Sequence, residues 1–183
     1  MNRYVALLRG INVGGNHMIP MAALKTCFEA QRLRQVATYI QSGNVLFTAD
    51  ADPAALTARI ERALSTTFGF AVPVVVRSSE QMTAVVQRAP AEFGTRPTEY
   101  RYDVFFLKAP FTVDEAMTGM TTTPGVDRVW PGDEVVYFSR LIQRAAESQM
   151  ARIAGRPISK SMTIRNWNTT RTLAELMTAA GPR

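Results

Sequence analysis

The stretch VATYIQSGNVLFTADADPAALTARIERALSTTFGFAVPVVV, residues 36–76, decides the fold class. It holds two short β-branched and aromatic runs, Val36–Gln41 and Val45–Thr48, around Ser42-Gly43-Asn44. Gly and Asn tolerate positive φ, so this is hairpin chemistry. Asp52-Pro53 then opens a helix with Leu56, Ile60 and Leu64 on one face and Gly69 as its stop. Val72–Val76 closes the stretch as another apolar strand. Strand, strand, helix, strand is the second part of a split βαβ unit.

Working outward, Tyr4–Leu8 is a short apolar strand closed by Gly10. A glycine-rich loop, Gly10–Ile19, leads to Pro20 at the first position of a helix, where its missing N–H costs nothing. Met21, Leu24, Phe28 and Cys27 form the apolar side of that helix. The order βαββαβ is then complete. Ser79–Arg88 reads as a connecting helix and Ala89–Thr98, with two prolines, as a linker.

The pattern recurs beyond it. Tyr102–Leu107 is a strand, and Thr112–Met120 a helix opened by a Thr112/Glu115 capping box. Val126–Trp130 and Val135–Ser139 form a hairpin around Pro131-Gly132-Asp133. Leu141–Ala154 is expected as one helix stopped at Gly155, Met162–Arg165 as the last strand, and Thr172–Ala180 as a closing helix ended by Gly181-Pro182. The expected fold is α+β, two tandem βαββαβ (ferredoxin-like) units spanning 1–88 and 99–183, packed as one body or two. The duplication rests on element order; no residue-level repeat is visible.

At 183 residues the chain holds one domain or two small ones. Its single cysteine, Cys27, excludes an intramolecular disulfide and fits a reducing compartment. The apolar run at the N-terminus is shorter than a signal peptide requires, and no run approaches a membrane span. A cytoplasmic protein with no membrane partner is expected.

The net charge of +6 is local. Arg140, Arg144, Arg152, Arg156, Lys160, Arg165 and Arg171 face only Glu147 between positions 140 and 171, and the rest of the chain is neutral. On a continuous helix the arginines at 140, 144, 152 and 156 would form a slowly winding basic stripe. A phosphate-bearing partner is its natural counterpart.

Three blocks carry a family resemblance: YVALLRGINVGGN at 4–16, TYIQSGNVLF at 38–47 and TIRNWNTTRTLAEL at 163–176. The chain resembles the uncharacterised bacterial domain-of-unknown-function family sixteen ninety-seven. The resemblance implies a duplicated α+β unit of cytoplasmic bacterial type. It implies no activity and carries over no catalytic residue.

The loop of the first block, with Arg9, Gly10, Asn12, Gly14, Gly15 and Asn16, can converge backbone N–H groups on an anion. Its spacing matches neither the dinucleotide fingerprint nor the P-loop, and turn-shaping is the competing role. Tyr39 and Gln41 share a strand face that would suit base stacking, but the sequence pattern of RNA-binding sheets is absent. In the third block, Asn168 or Thr169 is expected to cap the last helix, with Asn166 bonding backbone in the turn. Trp167 reads as core, and Arg165 is the residue that capping and packing explain least.

Catalysis is not signalled. His17 is the sole histidine, Cys27 lacks an activating neighbour, and no cluster has metal-ligand spacing. No cofactor is expected. The leading expectation is a non-catalytic or regulatory binding protein for nucleic acid or a nucleotide, using Arg144, Arg152, Arg165 and the glycine loop. The alternatives are an enzyme on a small anionic metabolite, with Arg9, Asn12, His17 and Arg165 converging in a cleft between the units, and a structural homo-oligomer.

Overall fold

In the computed structural model, which describes residues 1–15 and 17–179, the first strand is central to its sheet. β1 (Asn2–Leu8) is followed by α1 (Met21–Ala30), β2 (Arg34–Tyr39), β3 (Asn44–Ala49), α2 (Pro53–Phe68) and β4 (Val74–Ser78). The sheet order is β2-β3-β1-β4, antiparallel throughout, which is the ferredoxin-like arrangement.

Local chemistry sets α2. The Asp52 carboxylate accepts from the Ala54 and Ala55 N–H groups, Pro53 opens the helix, and Gly69 ends it at φ 79°. Leu56, Ile60 and Leu64 bury one face, beside Leu24, Cys27 and Phe28 of α1. They meet Tyr4, Ala6, Leu8, Val45, Phe47, Val74 and Val76 in one core. Each Val, Leu, Ile or Phe side chain among them contributes about 1.5–3 kcal/mol by leaving water. Pro20 precedes α1 as its N-cap, one position earlier than expected. The hairpin turn takes its positive φ values at Ile40 and Gly43 rather than Asn44, and Gln41 lies in the turn, not on the strand.

The second unit repeats the plan. After α3 (Ser79–Gln87) come β5 (Tyr100–Leu107), α4 (Val113–Gly119), β6 (Asp127–Pro131), β7 (Val135–Leu141), α5 (Met150–Gly155), β8 (Met162–Asn166) and α6 (Trp167–Ala179). The sheet order β6-β7-β5-β8 is the same permutation, again antiparallel. The capping box at Thr112 and Glu115 is present. Phe105, Leu107, Ala116, Val136, Phe138, Ile153 and Met162 form the core beneath its helices. The compact units of the chain are Met1–Met82 with the C-terminal residues from Leu173, and Thr83–Thr172.

Three expectations are corrected. The single helix over Leu141–Ala154 does not form: Leu141 ends β7, Ile142–Glu147 is a 3₁₀ segment with Arg144 off helical geometry, and Ser148 is extended before α5 begins. The cause is distant. The buried carboxylate of Asp127 accepts from the Thr123 N–H (2.9 Å), the Ser148 hydroxyl (2.6 Å) and the Gln149 N–H (2.9 Å). Bonds to Ser148 and Gln149 hold the chain open where a helix would continue. Further on, Arg156 precedes Pro157, which disfavours helical geometry, and it is extended. The last helix also begins earlier than expected, at Trp167. Its cap is Asn166, whose Oδ1 accepts from the Thr169 N–H at 2.8 Å, while Asn168 lies within the helix. The proposed Gly181-Pro182 stop lies outside the described residues. Lastly, the supposed linker holds a buried residue. Phe93 meets Tyr102, Trp130, Tyr137 and Trp167 edge-on, with centroids 4.9–5.8 Å apart.

Superimposing the two registers reveals the residue-level repeat that the sequence hides. Leu8 and Leu107 each donate a backbone N–H to the hairpin turn of their own unit, at Gly43 and Glu134. Arg9 and Lys108 each donate to the residue before the last strand region, Pro73 and Ser161. Arg77 on β4 and Arg165 on β8 pair with Val5 and Val104 of the central strands. Both arginines are buried, and each guanidinium donates to the carbonyl just before it, Val76 or Ile164.

Candidate ligand-binding surfaces

The glycine loop is built around Asn12. Its Nδ2 donates to the carbonyls of Ile19 (3.1 Å) and Gln41 (3.0 Å), and its Oδ1 accepts from the Ile19 N–H (2.8 Å). Its own N–H reaches the His17 carbonyl at 3.2 Å. Ile11 and Ile19 are buried at the two ends of the loop. Gly10, Gly14 and Gly15 all have positive φ, with open space where a Cβ would stand. The turn therefore needs their conformational freedom rather than a close approach. Arg9 is half-buried, and the His17 ring stacks on Phe70 at 4.3 Å. Asn16 lies outside the described residues. The loop has no counterpart in the second unit, where residues 108–112 replace residues 9–20.

The basic residues are dispersed by the broken crossover between β7 and β8. Arg140 is on β7. Arg144 is exposed and grips Glu147 through two bonds, of 2.7 and 2.6 Å; that bonding holds the Glu147 carboxyl below its usual range. Arg156 donates to the Gly119 carbonyl at 3.1 Å. Arg152 and Lys160 are exposed, and no ion pair is recorded for either among the described residues. Arg165 is interior: it donates to Thr163 Oγ1 at 2.9 Å and to the Ile164 carbonyl, and burial pushes it down to about 10. The structure thus splits the expected set. Arg152 is on the surface, Arg144 is there but engaged, and Arg165 serves the sheet. No acid follows Glu147 until Glu175.

Sequence reasoning missed a third feature, a small solvent-open cleft of about 40 Å³ in the second unit. It is lined by Glu92, Arg96, Tyr100, Tyr102, Arg128 and Trp130, among others. The Arg96 guanidinium lies over the Tyr100 ring at 5.2 Å and that of Arg128 over Trp130 at 4.9 Å. Each is also held edge-on by a carboxylate fork: Glu99 takes two bonds from Arg96, and Glu92 two from Arg128. Hydrogen bonding to Arg96 holds the Glu99 carboxyl below its usual range. The Tyr102 hydroxyl accepts from the Arg96 N–H. The available signal was the alternation of acid, arginine and aromatic over 92–102, most of which falls in the stretch 89–98 expected as a linker because of its prolines.

The sheet faces are not open platforms. Val5, Leu7 and Val75, which point away from the helices in the first unit, are buried, as are Val104, Phe106 and Tyr137 in the second. Tyr39 is half-buried. Among the described residues no group of three or more His, Cys, Asp or Glu could hold a metal ion, and no helix is long and apolar enough to cross a membrane.

Comparison with known proteins gives a family and a fold. The family model described as "Protein of unknown function (DUF1697)" matches residues 1–137, which takes in the first two sequence blocks. No curated protein matches. A solved structure of a conserved bacterial protein from Streptococcus pneumoniae is similar over 97% of this chain and 99% of its own, at 24% identity and a TM-score of 0.82. That likeness confirms the fold of both halves.

Proposed function

We propose that this chain, which belongs to that family of proteins of unknown function, is a non-catalytic binding protein for a phosphate-rich partner, nucleic acid or nucleotide. One observation carries the reading: the acid-free segment from Ser148 to Ala174 exposes Arg152, Arg156, Lys160 and Arg171. Soluble surfaces usually intersperse both signs, and uncompensated arginine and lysine attract phosphate. Arg152, Arg156 and Lys160 fall within the crossover between β7 and β8, which concentrates them on one stretch of the second unit. Arg144 contributes less than the sequence alone suggests, because Glu147 already neutralises it.

Fluorescence anisotropy against single-stranded RNA, single-stranded DNA and duplex DNA, across a salt series, tests this. With about three phosphate contacts, log affinity on single strands falls with log salt at a slope near −2. An Arg152→Ala/Lys160→Ala double variant is expected to flatten that slope by roughly 1.4, whereas Arg144→Ala changes it little. Absence of binding at low salt overturns the reading.

A further inference from the structure

The two units differ at one corner of their sheets, where β5 and β6 of the second unit begin and β7 and β8 end. In the register of the first unit Asn2 faces Ala49 and Tyr4 faces Phe47; the matching pairs in the second are Arg101 with Arg140 and Asp103 with Phe138. The first unit seals this corner. Tyr4 and Ala49 are buried in its apolar core, and the Tyr4 hydroxyl donates to the Ala51 carbonyl at 2.8 Å. The second unit puts two cations and a carboxylate there, on the same sheet face as the buried Phe105 and Phe138.

Among the described residues, none of these three charges has a side-chain hydrogen bond or an ion pair. Asp103 and Arg140 are half-buried and Arg101 is exposed. Asp103 Oδ2 and Arg140 Nε are shut off from solvent without a partner. Asp127 stands directly across from Arg140, but its carboxylate is engaged by Thr123, Ser148 and Gln149. Arg101 and Arg140 face each other directly, which is repulsive, and a half-buried carboxylate without a bond is costly. Folding alone would fill this corner with apolar side chains, as its twin does. Charges kept there at a cost to stability mark a place shaped by what it binds.

The chemistry of the three groups names the class of ligand. Two guanidinium groups side by side call for a carboxylate, and Asp103 calls for a cationic donor. Asp103 and Arg140 are diagonal neighbours on adjacent strands, roughly 7–8 Å apart at the backbone, and attract one another without forming an ion pair. Asp103 would repel a phosphate, whereas a molecule with an ammonium and a carboxylate on one carbon satisfies both signs. Exposed Arg101, and exposed Asn166 opposite Asp103 on β8, leave the corner open to solvent on one side.

We infer that Asp103, Arg140 and Arg101 form a site for a free α-amino acid, its ammonium on Asp103 and its carboxylate between the two arginines. The site stands whether or not the basic crossover takes a phosphate-rich partner.

The test is a melting-temperature screen of the intact chain at neutral pH against the common L-amino acids at millimolar concentration, followed by calorimetric titration. At least one amino acid is expected to raise Tm and to bind. Removing either of its charges, as the decarboxylated amine or as the N-acetyl acid, is expected to weaken binding about tenfold or more, the order of one charge-assisted hydrogen bond. Asp103→Asn, which is isosteric, and Arg140→Gln are each expected to abolish the ligand's shift while the variant still melts cooperatively. Arg152→Ala/Lys160→Ala is expected to bind the amino acid like the parent chain. An N-acetyl acid or inorganic phosphate that binds as well as the amino acid would show an anion site only and overturn the assignment. So would the lack of any shift or heat across the set, which would leave ordered water as the partner of both orphaned atoms.

Discussion

The two crossovers that follow the hairpins occupy the same place in the same topology and are built by opposite means. In the first unit α2 runs unbroken from Pro53 to Phe68, with its cap, its stop and its apolar face all encoded within it. In the second, residues 142–161 pass through a 3₁₀ segment, an extended Ser148, the short α5 and another 3₁₀ turn, with Ile153 as the fully buried apolar anchor of α5. A carboxylate on a neighbouring strand, Asp127, replaces the missing helical bonds. A fold can thus keep strand order and register while one connection depends on its own sequence and its twin on a residue elsewhere. The irregular twin is also the one whose exposed cations, Arg152, Arg156 and Lys160, have no acid between them, whereas Glu61 lies between Arg59 and Arg62 of α2.

The sharpest way to break the comparison is to remove the clasp. Asp127→Ala leaves the Thr123 and Gln149 N–H groups and the Ser148 hydroxyl without their acceptor, and is expected to cost about 2–4 kcal/mol in chemical denaturation. Asp52→Ala, at the cap of α2, is expected to cost only about 1 kcal/mol. Equal losses would mean that Asp127 is no more than a cap. A second contrast comes from two glycines at similar φ. Gly94 (φ 81°) has Trp167 Nε1 2.4 Å from the position of a Cβ, whereas Gly69 (φ 79°) has open space. Gly94→Ala is expected to destabilise by about 2 kcal/mol, and Gly69→Ala by about 1 kcal/mol through its backbone alone. Measured losses that fail to separate would show that Trp167 yields freely.

How much of this was legible follows from the same contrast. Asp52, Pro53, Leu56, Ile60, Leu64 and Gly69 signal α2 within a short window, so reading the sequence places it to the residue. Residues 141–155 carry equally good helical spacing, but the Asp127 clasp arrives from a strand that no local window contains. Asn166 was assigned to the turn and the cap to its neighbours because the helix start was placed too late. The repeat of Arg77 and Arg165 was invisible because Val-Arg-Ser and Ile-Arg-Asn share only the arginine. At the candidate sites, exposed Arg152 was recoverable from charge alone. The burial of Arg165 was not, because a strand of five residues does not show which face is covered.

The smallest effect concerns Asp103 on β5, whose carboxyl is pushed up by burial against the lowering pull of Arg140 and Arg101. A carboxyl with a higher pKa folded than unfolded binds its proton more readily in the folded state. Stability therefore falls as pH rises from about 3.9 through the raised value, and the penalty is complete at neutral pH. Asp103→Asn is expected to raise Tm at pH 7 and to leave it nearly unchanged at pH 3. A lower Tm at pH 7 would show that attraction to the arginines outweighs the burial.

The Asp127 clasp also bears on how the second unit breathes. Amide protons in irregular chain normally trade with solvent quickly, whereas those of Thr123 and Gln149 are held by a carboxylate that is itself 5% exposed. The Thr123 bond lies within the loop that leads into β6, but exchange of the Gln149 amide requires β6 and the crossover to part, which is a cooperative opening rather than local fraying. A slowly exchanging Gln149 amide within the least regular stretch of the second unit would make the crossover move with its sheet as one cooperative block.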